Sequence, residues 1–286
     1  MSFREEYAEM RRLIEGKLGT YFNGGGIEEA MKYSLMSGGT RLRPILTLKF
    51  CEAAGGAPDE AIDFACAVEM LHVYSRIHDD LPIMDNDEVR NGIPTNHLKF
   101  GADTALIAGD ALQAAAFRTI LTAGEMFPET GKGAAIAAAR TLAQAAGERE
   151  LCKGQYLDTR PKTTTTNREL KDIGDKKTCA ILRAAGEIGV YASQGRREVD
   201  PFYFEVARDY ATNLGHAYSI RDDIIDAGKS APKEGKITIV DLVGVDQAKK
   251  LVGEYTERAI SALFSAHWIG PYAFLLKLAD TMGERE

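Results

Sequence analysis

Alternating runs of β-branched residues are almost missing from this chain, and such residues gather only in short pieces such as Ile237-Thr-Ile-Val240. That argues against a β-sandwich or barrel, which needs many short period-two strands between turn signals. Cysteine is scarce: Cys51, Cys66, Cys152 and Cys179 are scattered, with no CxxC or CxxH spacing. The pattern excludes a zinc ribbon and a disulfide scaffold, and predicts reduced, buried thiols in a cytosol. Nor is there an excess of positive charge. The 35 Lys and Arg are outnumbered by 42 Asp and Glu, leaving a net charge of −7. General affinity for nucleic acid or an anionic membrane is therefore not expected. The opening Met1-Ser-Phe-Arg-Glu-Glu-Tyr7 is charged and amphipathic, unlike a secretory leader. The most apolar stretch, residues 133–146, is alanine-rich, contains Arg140 and is too short for a bilayer. These absences predict a cytoplasmic protein without a membrane span.

What is present is helical period. Over residues 61–78 the apolar positions Ile62, Ala65, Cys66, Val68, Met70, Leu71, Val73 and Ile77 wrap most of a helix, as burial on several sides requires. Local punctuation agrees. Thr166-Asn-Arg-Glu169 reads as a capping box opening a helix that runs towards Ala192. Asp200-Pro201 sets a cap residue before the first-turn proline of a helix over residues 202–226. Gly24-Gly25-Gly26 and Gly55-Gly56 are breaks. About ten helices, many of roughly 15–25 residues, are expected. Hydrophobic residues at 45% and charged residues at 27% are ordinary globular usage. No linker divides the 286 residues, and residues 163–166 read as a surface loop. The expectation is one all-α, bundle-like domain over residues 1–286.

One internal echo points to chemistry. His72-Val-Tyr-Ser-Arg-Ile-His-Asp79-Asp80 is matched by His216-Ala-Tyr-Ser-Ile-Arg-Asp222-Asp223. The first continues to Asp85 through Leu-Pro-Ile-Met, the second to Asp226 through Ile-Ile. Asp222 and Asp226 share a helix face. Pro82 must break the first helix, so Asp85 is expected to curl back beside Asp79. Three crowded carboxylates are costly unless cations offset them. Two such clusters facing each other would make an oxygen-only site of the kind Mg²⁺ prefers, completed by water and substrate phosphate. Solvated helix ends would explain one aspartate pair but poorly explain two matched sets, and no EF-hand loop suggests calcium. Arg90, Lys176-Lys177-Thr178, Lys229 and Lys236 add cations near the acids, as a phosphate-bearing substrate would need.

These residues resemble the trans-isoprenyl diphosphate synthase (polyprenyl synthetase) family over nearly the whole chain. The matching segments are Ser37-Gly-Gly-Thr-Arg-Leu-Arg-Pro44, Glu69-Met-Leu-His72, Asp79 to Asp85 with Arg90, and Pro94-Thr-Asn-His97. Gly109-Asp-Ala-Leu112, Gly154-Gln155, Lys177-Thr178 and Asp222 to Asp226 complete them. The resemblance implies an all-α isoprenoid synthase-type bundle around a central cavity. It also implies a homodimer, and three Mg²⁺ ions held on an allylic prenyl diphosphate. Asp79 and Asp85 would bind metal from one side and Asp222 from the other, with Asp80, Asp223 and Asp226 supporting. Arg90, Lys177 and Lys229 or Lys236 would grasp the diphosphate. Bacterial farnesyl diphosphate synthases carry the same Leu-Pro insertion, and Tyr74 is similar to the bulky residue that limits chain length in the family.

The departures concentrate on the co-substrate. The family pattern has lysine where Thr40 stands, arginine at Asn91 and often lysine at Ile93. The lysine matched by Thr40 and the arginine matched by Asn91 serve, with Arg43 and His72, to hold isopentenyl diphosphate. Tyr218-Ser219 replaces Phe-Gln, Arg76 replaces an apolar residue, and the segment after Asp226 is shortened. Two lost charge-assisted bonds would weaken that site by roughly 10²-fold to 10⁴-fold. The leading expectation is therefore a terpene synthase-like enzyme that ionises a C10–C20 allylic diphosphate without isopentenyl diphosphate. The alternative is a short-chain prenyltransferase with a rewired acceptor site, in which Arg76, one turn after His72, or Lys176 replaces a lost cation. A third reading is a non-catalytic partner subunit of an active synthase.

Overall fold

The structure is a computed structural model that describes residues 1–160, 165–228 and 237–283. Among these residues the chain forms α1 Phe3–Leu18, α2 Ile27–Leu35, α3 Leu42–Ala53, α4 Pro58–Asp79, α5 Asn96–Phe100, α6 Ala102–Glu125 and α7 Lys132–Ala146. The second half adds α8 Leu151–Asp158, α9 Asn167–Gly174, α10 Ala180–Gln194, α11 Phe202–Ala227, α12 Ile239–Val243, α13 Val245–Phe264 and α14 Ala273–Gly283. The all-α class is as the sequence predicts. The helices beyond ten are mainly short pieces such as α5 and α12, too brief for an apolar period to stand out.

Local chemistry sets the ends. At Thr166 the capping box forms: the hydroxyl accepts from Glu169 N at 3.3 Å, and Glu169 Oε2 accepts from Thr166 N at 2.8 Å. The helical backbone runs on past Ala192 as expected, but not as a uniform α-helix. After α9 the chain widens into a π-helical segment, Asp175–Cys179, before α10 begins. One extra residue per turn leaves no mark in an apolar pattern. Asp200 Oδ1 accepts from Phe202 N at 2.9 Å, capping α11 as expected. Of residues 163–166, only Thr165 and Thr166 are described.

Among the described residues, one hairpin interrupts the helices: β1 Val89–Arg90 pairs antiparallel with β2 Ile93–Pro94. Its turn is Asn91-Gly92, with φ of 51° and 82°, the left-handed pair that an Asn-Gly turn supplies. Strands of two residues cannot show alternation, which is why the sequence pattern misses them.

α10 is central, packing on α3, α4, α7 and α11, while α4 also packs against α6. Phe50, Phe64, Met70, Leu71, Leu112 and Tyr210 are fully buried between them, each apolar side chain contributing about 1.5–3 kcal/mol. A smaller cluster of Ala217, Ile220, Ala248 and Val252 joins α11 to α13. All four cysteines are free; Cys51, Cys66 and Cys179 are buried, but Cys152 is exposed, against expectation, because it faces a cavity. No helix among the described residues is long and apolar enough to cross a membrane.

Candidate active site

The end of α4 builds the first side of the site. The helix stops at Asp79, and Asp85 N donates to Asp79 O at 2.9 Å, so the proline-containing turn folds back as expected. Asp79 is 6% exposed and Asp80 3%, whereas Asp85 is exposed. Burial pushes the Asp79 carboxyl up; Lys177 and Arg76 oppose this, and Asp85 adds to it. Lys177 Nζ lies 3.5 Å from Asp79 Oδ2 and 2.8 Å from Asp158 Oδ2.

Asp80 is engaged differently. Arg90 Nε lies 2.9 Å from each of its oxygens, and Arg90 Nη2 lies 2.9 Å from Asp87 Oδ2. The sequence reading gave Asp80 to metal and Arg90 to phosphate; here they hold each other. A carboxylate this buried requires a paired cation.

Lys177 reaches the cleft from the π-helical segment, which rests on α8. Gly154 makes that possible: a Cβ there would stand 2.6 Å from Lys177 N. Lys176, offered as a replacement cation, instead pairs with Asp172 and lines neither cavity described below.

The second side is α11, which carries Asp222 and Asp226 on one face. Burial in the cleft wall, then Asp226 and Asp223, raise Asp222 to about 6, with Arg43 and Arg221 offsetting only part. Asp223 Oδ2 accepts from Ile239 N at 3.3 Å, so it turns towards α12. Asp226 is exposed. Lys229 and Lys236 lie outside the described residues.

Two cavities open between these sides. A polar one of about 310 Å³ is lined by Thr40, Arg43, His72, Arg76, Asp80, Arg90, Asn91, Ile93, Tyr218, Ser219 and Asp222, among others. The other, about 400 Å³, is lined by Tyr74, Asp79, Met84, Leu151, Gln155, Tyr156, Lys177 and Ile181, among others. Arg43, His72, Arg76 and Thr178 line both. His72 is held well below the usual histidine range by burial, then by Arg43 and Arg76. It is therefore neutral, and its Nε2, 3.3 Å from Arg43 Nη1, accepts from the guanidinium. Burial also lowers Arg43.

At the rim, Gly38 and Gly39 have φ of 90° and 108°, a left-handed turn that β-carbons disfavour. A Cβ on Gly39 would meet Asn91 Nδ2 at 3.6 Å, so the Thr40 and Asn91 loops adjoin. Other matched segments brace the wall of the polar cavity. Arg41 pairs with buried Glu69 at 2.6 Å, and Asn96 Nδ2 donates to Ala30 O at 2.8 Å.

Sequence reasoning missed Asp158, Asp87, Met84 and Tyr156. Asp158 had a signal: it stands one helical turn after Gly154, on the face that meets Lys177. Asp87 had one too, three residues before Arg90.

Residues 26–246 match the polyprenyl synthetase family. The chain is 39% identical to geranylgeranyl pyrophosphate synthase 3, chloroplastic, of Arabidopsis thaliana, over 82% of this chain and 67% of that protein. It is 37% identical to a chloroplastic geranylgeranyl pyrophosphate synthase of Capsicum annuum, over 91% and 72%. An apo FPP/GFPP synthase from Zymomonas mobilis superposes with a TM-score of 0.87 at 28% identity, covering 99% of each chain. These relatives are named as prenyl diphosphate synthases, so the terpene synthase-like expectation finds no support among them and the prenyltransferase alternative does. Nor does the non-catalytic reading fit. With the aspartate-bearing helix ends, the cation-lined cleft and this likeness in agreement, the chain belongs to the polyprenyl synthetase family and is an enzyme of the prenyltransferase kind.

Proposed function

We propose that this single-domain enzyme is a Mg²⁺-dependent short-chain trans-prenyltransferase, joining isopentenyl diphosphate to an allylic diphosphate to give a C10–C20 product. The observation that supports this best is the pair of cavities meeting at Arg43, His72, Arg76 and Thr178. An enzyme that only ionises and cyclises needs one prenyl pocket; a condensing enzyme needs two substrates end to end.

In this reading the allylic tail lies in the cavity beside Tyr74, Leu151 and Tyr156, where Tyr74 limits its length. Its diphosphate faces Lys177 and Thr178. Isopentenyl diphosphate occupies the polar cavity, held by Arg43 and neutral His72. Arg76 supplies the cation that Thr40 and Asn91 do not, since it lines the same wall as both. The allylic C–O bond breaks with its electron pair leaving on pyrophosphate. The double bond of isopentenyl diphosphate then attacks the allylic carbon, and the departed pyrophosphate takes up the proton whose loss restores an alkene.

The residues fit Mg²⁺. Asp79, Asp85 and Asp222 offer only oxygen, and burial and like charge resist ionisation of Asp79 and Asp222 in a way that a hard cation offsets. Asp223 and Asp226 support that set, while Asp80 contributes through Arg90. Bound Mg²⁺ supplies charge neutralisation for the departing pyrophosphate. Homodimerisation is part of the proposal: Ile107, Ala114 and Leu121 form an exposed stripe at seven-residue spacing along α6, and light scattering of the purified protein tests it.

The deciding experiment incubates the protein with Mg²⁺ and dimethylallyl, geranyl or farnesyl diphosphate, with and without labelled isopentenyl diphosphate. Label in a longer prenyl diphosphate is expected. Hydrocarbon or alcohol formed from the allylic substrate alone, with no elongation, would overturn the reading.

A further inference from the structure

The second His-x-Tyr-Ser string ends in aspartates like the first, yet its histidine does not line either cavity. His216 is instead 6% exposed, stacked on Tyr255 of α13 with ring centroids 4.9 Å apart. Its Nε2 lies 3.3 Å from Oδ1 of Asp175, the first residue of the π-helical segment.

Asp175 is held from a second side. Arg183 Nη1 lies 3.0 Å from the same Oδ1, its Nη2 donates to Asp175 O at 3.2 Å, and that Nη2 also reaches Glu150 Oε2 at 2.8 Å. The His216 hydrogen bond, then Arg183, outweigh burial and keep the Asp175 carboxyl at about 2. At the other end of the segment, Cys179 Sγ donates to Thr212 O on α11 at 3.5 Å. Both ends of the segment that presents Lys177 and Thr178 are therefore tied to the helix that presents Asp222. A π-helical stretch is uncommon and persists where its surroundings over-determine it.

We propose that His216 is a positioning residue: by holding Asp175 it fixes the π-helical segment, and so aims Lys177 and Thr178 at the substrate. Asp175, Cys179 and His216 also bring their donor atoms within 4.8 Å of one another, as metal ligands would. Each already has a protein partner: Asp175 has Arg183 and His216, and Cys179 has Thr212 O. On this proposal the cluster acts as a clamp through these protein contacts.

The proposal rests on Lys177 as a diphosphate ligand, so its test reads the clamp and the chemistry separately. Hydrogen exchange of the 175–179 amides, and KM for each substrate, are measured on full-length protein carrying His216→Leu, Asp175→Asn, both together, or His216→Gln. In His216→Leu the exchange of those amides should rise about tenfold. KM for the allylic diphosphate should rise by a similar factor, with KM for isopentenyl diphosphate little changed. The double variant should be no worse than either single one, and His216→Gln, which keeps a donor, should recover both readouts. Unchanged exchange in both His216→Leu and Asp175→Asn would overturn the clamp, as would stabilisation of the native protein by added Zn²⁺ that His216→Leu abolishes. Faster exchange with an unchanged allylic KM would leave the clamp standing and overturn the role of Lys177. Should His216→Leu fail to fold, the near-isosteric Asp175→Asn carries the same test.

Discussion

Asp79 and Asp222 follow the same three-residue signature and live in opposite surroundings. Asp79 and Asp80 are buried, and each faces a cation within the protein: Lys177 at 3.5 Å for one and the Arg90 fork for the other. Asp222 and Asp226 keep solvent-exposed edges; beyond the desolvation Asp222 meets in the cleft wall, the strongest influences on it are carboxylates of its own helix. The first side is pre-arranged by internal ion pairs. On the second, the Asp222 carboxyl is crowded by Asp226 and Asp223, which Arg43 and Arg221 only partly offset. In the proposed reaction the buried side orients the diphosphate, and the exposed side completes its grip when Mg²⁺ arrives.

The largest expected effect comes from removing either side's key charge. Asp79→Ala, Asp222→Ala or Lys177→Ala should each cut pyrophosphate release by about 10²-fold to 10³-fold or more, since each touches the charge that develops on the leaving group. Raising Mg²⁺ should rescue Asp222→Ala better than Lys177→Ala, because metal can substitute for a metal ligand's affinity but not for a fixed ammonium. Equal rescue, measured by single-turnover pyrophosphate release, would mean that the two sides do not differ as described.

Next in size is the acceptor cavity. Arg76→Leu should weaken isopentenyl diphosphate by about 10-fold to 100-fold, the loss of one charge-assisted hydrogen bond. Thr40→Lys with Asn91→Arg should strengthen it in the native protein and recover most of what Arg76→Leu loses. If the double substitution leaves KM for isopentenyl diphosphate as it was in both backgrounds, Arg76 is not the replacement cation.

Much of this architecture was legible in residue order because it depends on local chemistry. Pro82 ends α4, Thr166 caps α9, and Asp222 and Asp226 fall on one face through spacing alone. What escaped depends on contacts between distant segments. No local pattern shows that Asp80 is taken by Arg90 across a hairpin of two-residue strands. Nor does one show that residues 175–179 open into a π turn seated on Gly154. The substitutions at Thr40 and Asn91 read as a damaged site because charge was counted position by position. Arg76 lines the same cavity wall as both, and in the proposed reading that cation of different origin serves the same volume.

The smallest effect is on stability, and it separates the two sides without any turnover. The Asp222 carboxyl is raised to about 6 in the folded chain, against about 3.9 for an unperturbed aspartate. The folded state therefore binds this proton more tightly, and the stabilisation is complete below the unfolded value and lost as pH rises through about 6. Above that, an ionised Asp222 beside Asp226 and Asp223 is a cost to the metal-free protein. Asp222→Asn should consequently melt higher than the native chain at pH 8 without Mg²⁺, by a margin that shrinks as pH falls through 6 towards 4. Adding Mg²⁺ with pyrophosphate should reverse the order, because the native chain, with its higher metal affinity, gains more bound-state stabilisation at a given concentration. Scanning calorimetry at pH 4, 6 and 8 checks both signs; a margin independent of pH would show that Asp222 is not crowded by its own helix, and the contrast with Asp79 would lose its physical basis.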